Sequence, residues 1–366
     1  MDRRTFLKRS GAMLALAGSS TFLPAVAQDG NQAEGMLNDR TRQAIDGSLV
    51  WLSRQQHLGG QANGSFGTGA YNGNVAVTAL CGLAMMAGGS QPDRGRYGEN
   101  VRRAVEYIVR CQDNSGLLNS RQFGFQGPMY GHGFATLFLA EVYGMVNQQP
   151  LRDNLRGALG RAINLIIRSQ NREGGWRYMP NSNDADLSVT ICQIMALRAA
   201  RNAGIAVPRS TADRCTQYVR NCQDMNSGGF RYQAGFGGGP GFARTAAGVV
   251  ALNSAGIYLE TPQEGRFVRM GLDYLMRNIP GGQRNFGFNA EMQFHYFYGH
   301  YYAVQAMWLA GGDYWRRWYP AIRDELLRDR RGDGFWQQGT MCTHYNTAMA
   351  LIILQVPNNY LPILQR

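Results

Sequence analysis

Asp184 and Asp186 are the two acidic side chains that the sequence places best for acid–base chemistry. They stand one residue apart, directly before an apolar stretch that begins at Leu187. A carboxylic acid that is kept protonated in a dry pocket can transfer its proton to a substrate. An aspartate at the start of a helix can instead accept hydrogen bonds from the free backbone N–H groups of the first turn. The position favours capping, and acid catalysis by Asp186, with Asp184 beside it, is the second interpretation.

Three of the five histidines stand at the start of an apolar stretch: His132 in "YGHGFA", His300 in "YGHYYA" and His344 in "CTHYNT". If these stretches begin at one mouth of the fold, the three imidazoles meet there as ligand-binding residues. Together with Asp186 or Cys342 they would supply ligands that zinc accepts. The alternative is a structural hydrogen bond at each position. The sequence requires no cofactor, and zinc is the one metal that it suggests.

Aromatic and cationic side chains mark two further places. The segment "FHYFYGHYY" (294–302) contains Tyr298 and Tyr301, and Tyr130 stands in the similar "MYGH". Aromatic walls attract cations, and they equally fill an apolar interior. Arg244 follows a Gly-rich segment, where a guanidinium can hold a phosphate or a carboxylate. We predict that these four side chains contact a ligand.

These residues belong to a repeat. One amphipathic pattern occurs six times at intervals of 52 to 58 residues, ending at Gln56, Gln112, Gln170, Gln223, Ile279 and Arg331. A Gly-rich turn with an aromatic or apolar residue follows each copy, and then comes a more apolar helix that often ends at glycine. The polar first helices predict an outer ring and the apolar second helices an inner ring. We therefore predict an all-α fold, an α/α toroid of six helical hairpins, with an open helical solenoid as the alternative.

The segment 170–176 reads "QNREGGW" and fits the pattern QxxxGxW. It resembles the QW repeats of squalene–hopene cyclases and related terpene cyclases, which share an α/α toroid with the β subunits of protein prenyltransferases. Weaker copies begin at Gln112 and Gln223, and the fifth and sixth units lack the glutamine. The resemblance extends over nearly all of the chain after its leader. It implies the fold strongly and the activity weakly, because the repeat residues are structural.

The resemblance also implies where chemistry would lie. Class II terpene cyclases protonate an alkene with the middle aspartate of a DxDD motif, and here Leu187 replaces the last aspartate after Asp184 and Asp186. The expected function is an isoprenoid-processing isomerase or transferase with a ligand cavity inside the toroid. The alternative is a non-catalytic lipid- or peptide-binding scaffold. Polysaccharide hydrolysis ranks third, because it needs paired carboxylates and only Glu291 is available besides those two aspartates.

The N-terminus predicts export. The leader contains "RRTFLK", a short apolar run and small residues at 25–27, as twin-arginine signal peptides do. We therefore predict a signal peptide at 1–27, a linker at 28–40 and a single toroid at 41–366. The predicted location is the periplasm or another extracytoplasmic space.

The net charge of the chain limits which classes of partner it is expected to bind. The formal net charge is +12, and every cationic side chain apart from Lys8 and the histidines is an arginine. The arginines form no cluster, so nucleic acid is not an expected partner, whereas contact with an anionic membrane surface is compatible with them. The expected ligand is a hydrophobic small molecule or lipid. The six cysteines form no CxxC pair, and the sequence carries no indication of an oligomeric state.

Overall fold

The computed structural model describes residues 32–120, 127–235, 238–281 and 295–365. The predicted signal peptide and Glu291 lie outside these ranges. The described ranges contain no β-strand and hold twelve α-helices: α1 Asp39–Arg54, α2 Val75–Ala87, α3 Gly98–Arg110, α4 Pro128–Val142, α5 Gln149–Ser169, α6 Leu187–Asn202, α7 Arg209–Asn221, α8 Phe242–Ser254, α9 Gly265–Met276, α10 Tyr296–Ala310, α11 Gly312–Asp329 and α12 Thr343–Gln355. No described helix is both long and apolar enough to cross a bilayer.

The even-numbered helices form a closed inner ring. Each packs against the next, from α2 through α4, α6, α8 and α10 to α12, and α12 packs against α2. Nearly every residue of the inner helices is buried, whereas the outer helices bury one face only. This difference follows from the sequence, because only an all-apolar helix can be enclosed by neighbours on every side. The α/α toroid of six hairpins is confirmed, and the contact between α12 and α2 excludes the open solenoid.

Glutamine side chains join successive hairpins. Each of the first four outer helices is followed by a glutamine whose Nε2 donates two hydrogen bonds of 2.7–3.1 Å. One goes to the Gly turn of the same unit, and the other to a carbonyl in the next outer helix. Gln170, for example, reaches the carbonyls of Gly174 and Thr211. The amide thereby gives a donor to the carbonyl of the Gly turn and adds a second hydrogen bond to a carbonyl of the next outer helix.

The glycine of the turn is required by close packing. Gly174 has a φ of +95°, and a Cβ at this position would lie 2.3 Å from the carbonyl oxygen of Arg214 in α7. A side chain is therefore excluded both by the left-handed backbone and by the neighbouring helix. Gly64, Gly116 and Gly228 are packed in the same way against the outer helix that follows.

Arginines make the return connection between units. The Arg110 side chain donates to the carbonyl of Asn63 at 2.7 Å, and Arg168 donates to that of Ser115 at 3.3 Å. In each case the outer helix of one unit holds the turn of the unit before it. At the ring closure, where the sixth unit lacks a glutamine, Arg330 Nε donates to Ser48 Oγ at 2.9 Å. Structural use of arginine thus accounts for part of the positive charge.

A threonine near the start of the inner helix fixes the aromatic residue of the turn. The backbone N–H groups of Phe66, Trp176, Phe230 and Trp336 donate to the Oγ1 atoms of Thr78, Thr190, Thr245 and Thr347, at 2.9–3.1 Å. In the second unit the N–H of Leu118 donates instead to His132 Nδ1, at 3.1 Å. His132 therefore occupies the position that threonine holds in units one, three, four and six.

This repeat corrects the prediction that the three histidines line a mouth of the fold. His132, His300 and His344 are 0%, 1% and 3% exposed. His300 is the fifth residue of α10, as His132 is of α4. His344 Nδ1 accepts a hydrogen bond from the N–H of Gly67 at 2.9 Å. Burial lowers the pKa of both His132 and His344 to about 4, so both imidazoles are neutral acceptors at pH 7.

The predicted linker at 28–40 also needs correction where it is described. Helix α1 begins at Asp39, and Met36 and Leu37 before it pack against the hydrophobic core. Gln32 donates to the carbonyl of Trp308 at 2.7 Å and accepts from Trp315 Nε1 at 2.8 Å. Residues from Gln32 onwards thus belong to the toroid.

The glutamine bridge is tested by Gln170→Ala. The variant leaves the carbonyls of Gly174 and Thr211 without their donor, so we expect it to lower the free energy of unfolding by about 2–3 kcal/mol. Gln217→Ala, at an exposed position on α7, is the control and should change it by less than about 0.5 kcal/mol. Urea denaturation measures both, and equal effects of the two variants would contradict the bridging role.

The neutral role of His132 is tested by His132→Thr, which introduces the residue found in units one, three, four and six. Because the folded-state pKa is lowered, the unfolded chain binds more protons between pH 6.5 and pH 4, and the wild type loses stability as the pH falls through this window. At pH 7 the variant should lose roughly 1–3 kcal/mol through its smaller volume. Between pH 7 and pH 4 it should lose roughly 2–3 kcal/mol less than the wild type does. Parallel curves of stability against pH would show that His132 does not titrate as described.

Candidate functional site

A cavity of about 800 Å³ opens at the end of the toroid where the inner helices begin. All six inner helices contribute first-turn residues to its wall, and the connections from the outer helices contribute the rest. Aromatic side chains dominate the described lining: Tyr71, Tyr130, Phe134, Tyr178, Tyr232, Tyr296, Phe297, Tyr298 and Tyr345. Such a wall offers apolar ring faces together with hydroxyl groups for hydrogen bonds.

The described part of the cavity wall carries positive charge. Arg244, in the first turn of α8, lines it, and no aspartate or glutamate is among its described lining residues. Four of the six inner helices, α4, α8, α10 and α12, begin here without a hydrogen bond from a capping side chain. The N-terminal ends of helices carry partial positive charge. The helix starts and Arg244 thus place positive charge on the same part of the described wall.

The structure brings three of the predicted ligand-binding residues together. Tyr130, Arg244 and Tyr298 line the same cavity, from α4, α8 and α10. Tyr298 is fixed by a hydrogen bond from its hydroxyl to the carbonyl of Ser188, at 2.9 Å. Tyr301 is not among the lining residues, because it lies three residues further along α10, about 4.5 Å deeper in the ring. It is 2% exposed and packs edge-on against Phe134 and Tyr302 in the interior.

Asp186 caps helix α6. Its backbone is extended, and Oδ1 accepts a hydrogen bond from the N–H of Val189 at 2.9 Å. The side chain is 0% exposed and is not part of the described cavity lining. Arg177 Nε lies 3.9 Å from Oδ2. Burial raises the pKa of Asp186 to about 6, although the Val189 N–H and the charge of Arg177 act in the opposite direction.

Asp184 lies at the surface. Its side chain is 55% exposed and pairs with Arg177 Nη1 at 3.2 Å. Neither predicted catalytic aspartate therefore contacts the cavity in this structure. Both carboxylates lie near Arg177. Arg177 in turn packs against Tyr178 and Tyr232, which line the cavity.

Arg177, Tyr178 and Tyr232 are site residues that the sequence reasoning missed. The Arg177 guanidinium lies 4.9 Å from the ring centre of Tyr178 and 5.7 Å from that of Tyr232, and the two tyrosine hydroxyls are hydrogen-bonded. A signal was present in the repeat. Each tyrosine stands two residues after the turn aromatic, Trp176 or Phe230, whose N–H the inner-helix threonine holds. This register points the second following residue into the cavity.

The described ranges contain no candidate metal site, and Cys342 is poorly placed as a nucleophile. No group of three or more His, Cys, Asp or Glu side chains there could hold a metal ion, so the predicted zinc cluster of histidines with Asp186 or Cys342 is not formed. Cys342 precedes α12 and is buried, and burial raises the pKa of its thiol. A raised pKa lowers the thiolate fraction and hence the nucleophilicity.

The two roles of Asp186 are separated by Asp186→Asn and Asp186→Ala. Asparagine caps helices as well as aspartate does, whereas alanine loses the cap, so we expect Ala to cost about 1–2 kcal/mol more than Asn at pH 7. Because the folded-state pKa is raised, the folded protein binds more protons than the unfolded chain between pH 4 and pH 6, and the wild type loses stability as the pH rises through this window.

The comparison with Asp186→Asn isolates this titration from that of the histidines. Relative to the Asn variant, the wild type should lose roughly 1–3 kcal/mol between pH 4 and pH 7. Thermal melts across this range measure the difference. A pH-independent difference would show that Asp186 is not a buried acid of raised pKa.

Solved structures of two enzyme classes are similar to this chain. An α-1,6-mannanase, GH76A of Salegentibacter sp. HEL1_6, in complex with α-1,6-mannotriose has a TM-score of 0.61 at 10% identity, with 88% of this chain and 100% of the mannanase covered. The type II terpene cyclase MstE from Scytonema, in complex with its product merosterolic acid A, has a TM-score of 0.58 at 14% identity, with 87% and 97% covered. At such identities the likeness shows the fold alone. No curated protein sequence matches the chain.

A family model identifies the chain more directly. The prenyltransferase α/α toroid domain matches residues 32–201 and, shifted along the repeats, residues 74–254. Together the two matches extend over more than half of the 366 residues. The resemblance to terpene cyclases and prenyltransferases that the repeats indicated is thereby confirmed, and the chain belongs to the prenyltransferase α/α toroid domain family.

Proposed function

We propose that this toroid is an exported protein that binds an apolar, isoprenoid-class molecule with an anionic end group. The observation that carries the proposal is the aromatic cavity with Arg244 in its wall. A volume of about 800 Å³ falls within the range of small-molecule pockets, roughly 300–1,000 Å³. The ring faces of Tyr130, Phe134 and Tyr298 suit a hydrocarbon chain, because burying apolar area against them is favourable.

The anionic end of the ligand would lie at Arg244. A guanidinium in a partly enclosed pocket holds a carboxylate or phosphate with two parallel hydrogen bonds. The first turns of α8, α10 and α12 add partial positive charge at the same end of the cavity. A neutral hydrocarbon would gain nothing from either feature, so the charge distribution favours an amphipathic acid over a plain polyprene.

The two groups of structural neighbours suggest different ligands. The terpene cyclase MstE has been solved with geranylgeranyl dihydroxybenzoate, its substrate, a prenyl chain on an acidic head. The GH76 mannanase binds mannotriose. Hydrolysis of a glycoside needs two carboxyl groups at the site, and the described lining provides none, whereas it does provide an aromatic wall and an arginine. We therefore infer the prenyl-bearing acid as the ligand class.

Protonation of an alkene by Asp186 is the second candidate function. It is favoured by one observation, the burial that raises the pKa of this carboxyl to about 6. It requires the carboxyl to release the N–H of Val189 and to pass the cavity wall, because the cap and the Arg177 contact hold it outside the described lining. Binding without turnover needs no such rearrangement, so it is the first proposal.

The proposal also includes export of the protein and contact with a membrane. Residues 1–27 direct the chain through the twin-arginine pathway to an extracytoplasmic space. Three exposed apolar side chains, Leu58, Met179 and Met225, lie in the connections that surround the cavity end. A lipid ligand that resides in a membrane would enter through this end of the toroid.

The binding proposal is tested by titrating the protein with farnesyl phosphate and with farnesol, a matched pair that differs in the anionic group. The wild type should bind the phosphate at least tenfold more tightly, which corresponds to about 1.4 kcal/mol. Arg244→Gln should remove this preference and leave the affinity for farnesol unchanged. Arg209→Gln, at an exposed position away from the cavity, is the control.

Isothermal calorimetry or quenching of tyrosine fluorescence measures these affinities. Absence of binding by either compound, or an unchanged preference in Arg244→Gln, would contradict the proposal. Catalysis is tested separately by product analysis after incubation with geranylgeranyl compounds. Turnover that Asp186→Asn abolishes and Asp184→Asn retains would favour the second candidate function.

A further inference from the structure

The last described residues of the chain cover the end of the inner ring opposite the cavity. Leu361, Ile363 and Leu364 are 2–4% exposed. The short 3₁₀ helix Pro362–Leu364 contacts α6 and α10. The side chains around it come from the last turns of inner helices, whereas the cavity is lined by their first turns. One end of the ring therefore holds the cavity, and the C-terminal segment covers the other.

Three side chains of the inner ring contact three consecutive main-chain positions of this segment. Glu141 Oε2, on α4, accepts from the N–H of Ile363 at 3.1 Å. Trp308 Nε1, on α10, donates to the carbonyl of Leu364 at 3.2 Å. Arg198 Nη2, on α6, donates to the carbonyl of Gln365 at 2.6 Å. Side chains from three helices thus form hydrogen bonds with main-chain groups of three successive residues.

Two of these side chains carry charges in a buried place. Glu141 and Arg198 are each 4% exposed, in helices that are otherwise almost entirely apolar. Burying a charge is costly unless hydrogen bonds compensate it, and here polar groups of the C-terminal segment supply some of those bonds. Main-chain hydrogen bonds combined with pockets for apolar side chains are the usual means by which proteins recognise peptides.

The segment is separable from the ring. The inner ring closes through the contact between α12 and α2, which does not involve residues 361–365. The connection is a short turn at Val356–Asn358 followed by Asn359, at a φ of +52°, and by Tyr360, which is 54% exposed. Val356 and Pro357 are buried and Asn358 Nδ2 donates to the carbonyl of Ala87 at 3.0 Å, so the connection stays on the ring and Tyr360 is its one exposed residue.

We propose that Glu141, Arg198 and Trp308 form a peptide-binding site that the chain's own C-terminal segment occupies as a ligand. The ligand class is an apolar peptide of the type Leu-Pro-Ile-Leu. The site accepts the same peptide in trans once the attached segment is released. It lies apart from the aromatic cavity, and neither the ligand of that cavity nor its chemistry enters the proposal.

The test uses the complete chain with the double substitution Leu361→Asp and Leu364→Asp, which releases the segment and leaves the three recognising side chains in place. A fluorescent peptide of residues 360–366, YLPILQR, should bind this variant with a Kd on the order of 10 µM. It should bind the wild type at least tenfold more weakly, because the attached segment competes at an effective concentration in the millimolar range.

Two controls make the binding specific. The peptide with both leucines replaced by aspartate should not bind. Adding Arg198→Gln to the released-segment variant should weaken binding of the unmodified peptide at least tenfold. Absence of peptide binding by a folded released-segment variant, judged by circular dichroism and a cooperative melt, would overturn the proposal.

A second measurement applies to the wild-type chain and does not depend on the folding of any variant. In hydrogen exchange followed by mass spectrometry, residues 359–365 should exchange at least tenfold faster than residues 301–309 of α10, because a bound ligand opens without unfolding the ring. Exchange of both segments at one common rate would show that the C-terminal segment is part of the cooperative core, and would equally overturn the proposal.

Discussion

The toroid depends on satisfying the backbone polar groups of its buried turns, five of which lie in the described ranges. Each turn runs from the outside of the ring to its interior, where carbonyl and N–H groups lose their contact with water. A glutamine side chain serves two carbonyls, and the threonine or histidine of the inner helix serves the N–H of the turn aromatic. Because these partners come from the adjacent helix and the adjacent unit, no hairpin is complete alone. We therefore expect the ring to fold cooperatively, because each hairpin needs its neighbour to satisfy its hydrogen bonds.

This constraint separates structure from function within each repeat. The residues that hold the turn are the same in most units. Their side chains form hydrogen bonds with backbone groups. In three units the residue two positions after the turn aromatic reaches the cavity: Tyr178, Tyr232 and Gln338. Ligand chemistry in this fold is thus decided by positions that vary between units. The cavity is aromatic and cationic here because Tyr178 and Tyr232 follow the turns and because the inner-helix starts add Tyr130, Arg244 and Tyr298.

Much of the fold could be predicted from the sequence, because the repeat interval and the contrast between amphipathic and apolar helices are properties of the chain itself. The capping role of Asp186 followed from its place before an apolar helix, and the structure shows the Val189 N–H on its carboxylate. The histidines were misplaced for a physical reason. Being near a helix start does not say which way a side chain points, and only alignment with Thr78 and Thr190 reveals that His132 faces the turn. The C-terminal contacts to Glu141 and Arg198 were not predictable, since no periodic pattern indicates which segment covers a ring end.

Native mass spectrometry of the protein purified from the cells that produce it tests the central claim most directly. The account predicts a non-covalently bound, acidic, apolar small molecule in the wild type, and its loss in Arg244→Gln at unchanged folding. A protein that retains only an oligosaccharide, or that carries the same apolar molecule with and without Arg244, would contradict the assignment of the cavity as a site for an isoprenoid acid.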